Sequence, residues 1–457
     1  MSDRKRIYLC LAHMSEEGIE QKYIKEAFDT NWVVPLGPNV NGFEADLEGF
    51  VNEVPGRAGI LDKRVVALSS GTAAVHLGLL ACGVGPGDEV LVQSFTFCAS
   101  AYPVTYLGAT PVFVDSEPDT WNMDPELLEE AIKDRVARTG LMPKAIVPVA
   151  LYGMPYRIDR IMEIADRHGI PVVEDAAEGF GSRFDGQVLG SFGRYGVLSF
   201  NGNKVITTSG GGALVCPSDE AKKEIMWYAT QAREDFPYYQ HEAIGYNYRM
   251  SNICAGIGRG QMTVVDAHIA HHRHVQKLYE ELLADVPGIS VHSQPADPRF
   301  ESNYWLCTIC LDPSLRIKGQ ERAYAAAVQG AVGGAAGVVH AAGSLRTDCQ
   351  PNDNVEALRV WLDAAQIEAR PVWKPMHKQP VYASAPAYLR PCSLGSLFGS
   401  ASGTPSGSAS GSASAASAVE PSVSEAIFKV GMCLPAGPCV TDDDVHYIVD
   451  SIKDAIE

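Results

Sequence analysis

The chain has 457 residues, 46% hydrophobic and 20% charged, an ordinary globular composition that excludes a fibrous or disordered protein and is long enough for two domains. Its formal net charge of −18 opposes nonspecific binding to nucleic acid or anionic membranes, so an anionic ligand needs a locally cationic pocket. The opening stretch MSDRKRIYLCLAHMSEEG turns acidic before a signal-peptide core forms and no run reaches membrane-spanning length, so a cytoplasmic protein with no membrane partner is expected.

From Asp62 to Val215 short apolar runs alternate with helical patterns, as a mostly parallel α/β sheet requires. Seven strands are expected, at Arg64 to Leu68, Glu89 to Val92, Pro111 to Val114, Lys144 to Val149, Ile170 to Glu174, Gly196 to Phe200 and Gly212 to Val215. After the first comes Ser69-Ser70-Gly71-Thr72, where a helix starts. Backbone N–H groups and the Ser70 and Thr72 hydroxyls there suit a phosphate monoester, although the same residues also serve as a plain N-cap. No GK[ST] follows, so this is not a P-loop.

The second strand leads to Phe97, at a strand end where open α/β sheets bind ligands. Asp124 and Pro125 mark a helix start, with Leu127, Leu128 and Ile132 on its inner side. The strand IPVVED delivers Asp175 to the same edge, and VLSFNGNKVITTSGGGALV holds a single lysine, Lys204, between two apolar runs. Together they form the pair that pyridoxal phosphate needs: an amine for the aldehyde and a carboxylate for the ring-nitrogen proton.

Beyond residue 262 the pattern becomes more helical, with helices expected at Met262 to Leu283, Val355 to Ala365 and Asp442 to Ile456, and a strand at Asn303 to Leu311. Residues 263–457 read as a smaller domain after a large one at 1–262. Two stretches inside it, 322–349 and 393–420, are rich in Ala, Gly and Ser and carry too few large apolar groups to offset their ordering entropy, so flexible insertions are expected. Cys307 and Cys310 lie in WLCTICL, which reads as a buried strand with reduced thiols; His268, His271, His272 and His274 read as a solvated helix face rather than a metal site. No metal is expected.

The segments SSGTAAVHLGLLACGVGPGDEV, SFTFCASAYPVTYLGATPVFVD, VEDAAEGFGS, SFNGNKVITTSGGGALV and GYNYRMSN, in this order, resemble the DegT/StrS family of pyridoxal-phosphate sugar aminotransferases over nearly the whole chain apart from the insertions. YATQARED, GYNYRMSN, ARPVWKPMHKQ and GMCLPAG resemble the subgroup that aminates carbon four of UDP-N-acetyl-4-keto-6-deoxyglucosamine in the bacillosamine pathway. The resemblance implies a fold type I, aspartate aminotransferase-like subunit: a seven-stranded, mostly parallel sheet domain, and a small C-terminal α/β domain on which the N-terminal segment packs. It also implies a homodimer with sites at the subunit interface, glutamate as amine donor and a UDP-linked keto sugar as acceptor.

By the same resemblance Lys204 binds the cofactor aldehyde, Asp175 the ring nitrogen and Phe97 the ring face, while Ser70, Gly71, Thr72 and Ser199 hold the phosphate. Glu178, where the family often has Gln or His, lies near the phenolic oxygen, and Asn247 reaches the phosphate of the neighbouring subunit's cofactor. Arg249, Arg370, Lys374 and His377 fall in segments that resemble substrate-facing loops. Other readings stay open: an aminotransferase for a 3-keto or a TDP- or GDP-linked sugar, a sugar dehydratase, against which Lys204 argues because the family's dehydratases carry histidine there, and a non-catalytic homologue.

Overall fold

The computed structural model describes residues 4–324, 349–394 and 420–457; apart from their ends, the two expected insertions lie outside these residues. Seven strands form the main sheet: β1 (Arg64–Leu68), β2 (Glu89–Gln93), β3 (Thr110–Val114), β4 (Ala145–Val147), β5 (Val173–Asp175), β6 (Tyr195–Ser199) and β7 (Gly212–Cys216). Parallel ladders join β3 to β2, β2 to β4 and β5 to β6, and Ile146–Val172 and Val149–Asp175 bridges join β4 to β5. With β7 antiparallel between β1 and β6, the order is β1-β7-β6-β5-β4-β2-β3. The strands are almost continuously apolar and buried because helices cover both faces.

Local chemistry sets the ends. The fifth strand starts its ladder at Val173 because Pro171 has no N–H to give, and it ends on Asp175, whose N–H donates to Pro148 O at 2.9 Å. Ser70 caps the helix Gly71–Ala81 by accepting from Ala73 N at 3.0 Å, and Asp124 caps Pro125–Thr139. The start of the first of these helices is pressed onto the sheet: a Cβ on Gly212 of β7 would lie 2.4 Å from Gly71 N.

A second sheet is wholly antiparallel: β8 (Ile289–Val291), β9 (Cys307–Leu311), β10 (Arg370–Pro371) and β11 (Gly431–Leu434) in the order β8-β9-β11-β10. Helices Val265–Leu283, Asp353–Ala364 and Asp442–Ala455 bury Tyr279, Leu358 and Ile448 in the same core as Ile309 of β9. The N-terminal segment joins this core through Ile7, which donates to Gln366 O at 2.8 Å and accepts from Glu368 N at 2.9 Å. Among the described residues, no helix is long and apolar enough to cross a membrane.

Two expectations are corrected. The strand expected from Asn303 begins only at Cys307, because Tyr304 takes a left-handed φ of 49° and the buried Asn303 amide turns back to donate to Glu178 O and Phe180 O. The histidine-bearing helix is not a solvated face: His268 and His272 are buried, and burial pushes His272 down to about 3. This helix packs between the second sheet and the loop after β6, with His268 Nδ1 3.0 Å from Val205 O, while its far side, with His274 against Asp442, reaches solvent. Cys307 and Cys310 are buried free thiols.

Candidate active site

A cavity of about 330 Å3 opens where β1, β5 and β6 end. Burial of small and branched apolar residues draws the strands together, so residues far apart in sequence, Ser70 to Thr72, Phe97, Asp175, Glu178, Ser199 and Lys204, share its lining. This placement follows from topology: in a parallel sheet the loops after successive strands emerge on one edge.

Asp175 is buried, and burial pushes its carboxyl above the ordinary carboxylate range although Ser100 Oγ donates to Oδ2 at 2.6 Å and Ala177 N to Oδ1 at 3.1 Å. Thr96 Oγ1 lies 2.8 Å from Ser100 Oγ, so a short hydroxyl chain fixes the acid. Glu178 is also raised by burial; the cationic Lys204 opposes that shift, as does the bond that Tyr152 N donates to Oε2 at 2.7 Å. Lys204 Nζ sits 3.6 Å from Glu178 Oε1 and 4.0 Å from the Trp305 ring centroid.

Phosphate chemistry has a place at the other end of the cavity. The positive end of the helix Gly71–Ala81 meets Ser199, and a Cβ on Gly71 would lie 3.0 Å from Ser199 Cβ, a tight contact that glycine avoids. Phe97 is 48% exposed at the cavity rim, with its ring 5.3 Å from that of Trp373. A desolvated acid, an amine, a helix N-terminus and an exposed aromatic ring around one cavity fit pyridoxal phosphate: the acid would hold the ring nitrogen, Lys204 the aldehyde and the helix start the phosphate.

Five predicted residues do not line this cavity. Asn247 is exposed on a loop held by a bridge to Thr230. Arg249 is turned into the body of the protein, where it pairs with buried Glu44 and donates to Ala67 O at 3.2 Å. Arg370 is exposed and pairs with Glu368 at 2.7 Å; Lys374 is half-buried beside Trp373. The His377 side chain is buried, with Nδ1 2.6 Å from Ser94 Oγ and Nε2 3.1 Å from Glu425 Oε1.

Sequence reasoning missed Trp305, Trp373, Tyr152 and Ser100. Trp305 and Trp373 line the cavity, and Tyr152 stacks on both, with ring centroids 6.4 and 6.2 Å away. Trp373 and Ser100 stood inside the motif segments, but Trp305 begins WLCTICL, where an aromatic residue signals only burial.

The sequence pattern of the DegT/DnrJ/EryC1/StrS aminotransferase family matches residues 14–332. The chain is 40% identical over 446 residues to EpsN of Bacillus subtilis (strain 168), which is named for pyridoxal phosphate-dependent aminotransferase activity; the alignment covers 98% of this chain and 95% of that protein. It is 36% identical over 383 residues, 84% of this chain and 88% of the relative, to the GDP-perosamine synthase of Caulobacter vibrioides. Among solved structures, a DegT DnrJ EryC1 StrS aminotransferase from Brucella abortus superposes with a TM-score of 0.73 at 26% identity, covering 96% of this chain and 95% of that one. The chain belongs to the DegT/DnrJ/EryC1/StrS aminotransferase family and is a pyridoxal-phosphate enzyme of fold type I.

Proposed function

We propose that the protein transfers the amino group of L-glutamate to the 4-keto carbon of a UDP-linked 2-acetamido-2,6-dideoxyhexos-4-ulose, giving a UDP-4-amino-4,6-dideoxy-N-acetylglucosamine-type sugar. The observation that carries this reading is Lys204 Nζ and the Asp175 carboxyl facing one cavity beside a helix N-terminus. The YATQARED, GYNYRMSN, ARPVWKPMHKQ and GMCLPAG segments support the UDP sugar and carbon four.

When bound, pyridoxal phosphate supplies an electron sink for the carbanion formed at the reacting carbon. Lys204 would move the proton in both half-reactions: its neutral amine would take one from the α-carbon of glutamate and pass it to the cofactor, and in the second half would take one from the cofactor and pass it to the sugar carbon. Asp175, fixed by Ser100 and Ala177, would as a carboxylate hold the ring nitrogen and keep it protonated. Ser70, Gly71, Thr72 and Ser199 would hold the phosphate, Phe97 would cover the ring, and Glu178 would face the phenolic oxygen.

The subunit is divided into a large domain, 1–262, and a small one, 263–457. Asn247 lies outside its own cavity, exposed, where a second copy in a homodimer would present it to the neighbouring phosphate. Arg249, Arg370, Lys374 and His377 belong to the substrate side; for the buried Arg249 and His377 this role is one of shaping segments rather than touching sugar.

A GDP-linked acceptor is the second reading, favoured by the identity to a GDP-perosamine synthase. The test is incubation with glutamate and a panel of UDP-, GDP- and TDP-linked 3- and 4-keto sugars, following 2-oxoglutarate and amino-sugar mass. Fastest turnover of the UDP 4-keto sugar is expected. Preference for a GDP or 3-keto acceptor reassigns the substrate, and no 2-oxoglutarate from any mixture removes the glutamate-dependent reading.

A further inference from the structure

Lys204 has two jobs that need two positions: it holds the aldehyde, and it must stand aside as a free amine once the amino group has moved to the cofactor. In the structure Nζ lies 4.0 Å from the centroid of Trp305 and 3.6 Å from Glu178 Oε1, with an apolar stem and little solvent around it. An ammonium over an aromatic face within about 6 Å is attracted by the ring quadrupole, more so where water is scarce.

Trp305 itself is locked. It is fully buried, its Nε1 donates to Asn203 O at 2.6 Å, its backbone N–H donates to Asn303 Oδ1 at 2.8 Å, and the Tyr152 ring stacks with its own at 6.4 Å. Asn203 immediately precedes Lys204 in a turn closed by Lys204 N donating to Asn201 O at 3.0 Å. One side chain leading into β9 of the small sheet thus grips both the turn that carries the lysine and the end of the lysine itself.

The other titratable groups that act on Lys204 offer no equal partner. Asp175 influences Lys204 from beyond ion-pair distance, and burial pushes the Cys10 thiol up to about 12, leaving it neutral. Glu178 is the carboxylate placed against Nζ.

We infer that Trp305 and Glu178 form a berth that holds the released Lys204 amine between the two half-reactions, with Trp305 acting as a positioning residue supplied by the small domain. This rests on the functional reading above, in which Lys204 carries the aldehyde. The berth keeps the amine pointed at the cavity and ties its position to that of the small domain.

The test uses the full-length protein charged with pyridoxamine phosphate, in which Lys204 bears nothing. Trace acetylation with acetic anhydride at pH 8 is read at the Lys204 peptide by mass spectrometry and normalised to the exposed Lys277. Loss of a berthing partner should speed labelling about tenfold in Trp305→Leu and in Glu178→Gln, the scale of a lost charge partner. Trp305→Phe, which keeps a ring face, should stay within about twofold of wild type.

An unchanged rate in folded Trp305→Leu, checked by near-ultraviolet circular dichroism, overturns the berth. If that variant does not fold, Glu178→Gln decides alone: faster labelling supports the berth and an unchanged rate overturns it. Borohydride reduction of wild type loaded with pyridoxal phosphate separates this from the underlying reading. A tag on another lysine overturns the functional assignment, whereas a tag on Lys204 with unchanged labelling overturns only the berth.

Discussion

Asp115 and Asp175 stand at the same edge of the same sheet, one just past β3 and the other closing β5, and both are buried. Asp115 accepts from Ser424 Oγ at 2.5 Å, Ser424 N at 3.1 Å, Val423 N at 3.0 Å and Arg390 N at 3.2 Å. Asp175 accepts from Ser100 Oγ and Ala177 N alone among the described residues, and it faces the cavity. A carboxylate has about four lone-pair sites. Those of Asp115 are taken up by chain some 300 residues away, which makes it a joint between the main sheet and the helix Val423–Val430, while Asp175 keeps acceptor capacity for a ligand.

The largest expected effect lies on the ligand-facing side. Lys204→Ala should lose turnover by at least the 10²- to 10⁴-fold typical of a missing acid–base group, while still binding cofactor. Steady-state rates with glutamate and equilibrium dialysis against pyridoxal phosphate measure both; turnover near the wild-type rate would remove Lys204 from the reaction.

Conservative amides then separate the two aspartates. Asp175→Asn should have a urea midpoint no lower than wild type, because Ser100 can turn its hydroxyl to suit an amide, yet lose turnover by about 10²-fold as the ring-nitrogen contact weakens. Asp115→Asn sets an NH2 group against backbone donors and should destabilise by about 2–4 kcal/mol, the cost of unsatisfied buried polar groups. Equal midpoints for the two variants would break the contrast.

What could be read from the chain alone follows the same division. Asp175 and Lys204 were legible because each ends or follows an apolar strand, and strand ends in a parallel sheet converge whatever the sequence distance. Trp305 was not, since nothing in WLCTICL distinguishes a ring facing a cavity from one facing a core. Arg249 looked available in GYNYRMSN because its buried partner Glu44 lies 205 residues earlier and is paired only by packing of the helix Pro38–Asn52 on β1. His268 and His272 misled for a related reason: a polar helix pattern assumes one wet face, and this helix lies between two packed bodies.

Protonation gives a third, smaller test with opposite signs at two sites. Burial raises Asp175 in the cofactor-free protein, so the folded state binds the extra proton above the ordinary value of 3.8, and stability falls as pH rises through that window. Glu425 runs the other way: His377, then Ser422 N–H and Lys378, hold it down to about 2, so it contributes stability above the unfolded carboxylate range that is lost as pH falls toward 2. Urea midpoints of cofactor-free protein at pH 4 and pH 8 should show Asp175→Asn gaining on wild type with rising pH. Glu425→Gln should trail wild type by more at pH 8 than at pH 4. Parallel offsets at both pH values would mean that neither carboxyl carries the assigned shift.

The smallest effect sharpens the line between structure and substrate. Exposed Arg370 pairs with half-buried Glu368 beside the small sheet, and ion pairs open to solvent contribute about 0–1 kcal/mol. Arg370→Ala should therefore leave the urea midpoint within about 1 kcal/mol of wild type. If the guanidinium meets the sugar nucleotide, the same variant raises KM for that substrate and leaves KM for glutamate unchanged, because a contact made equally in ground and transition states changes binding rather than turnover. An unchanged KM for both substrates would place Arg370 with the solvated charges of an acidic protein, with no part in the chemistry.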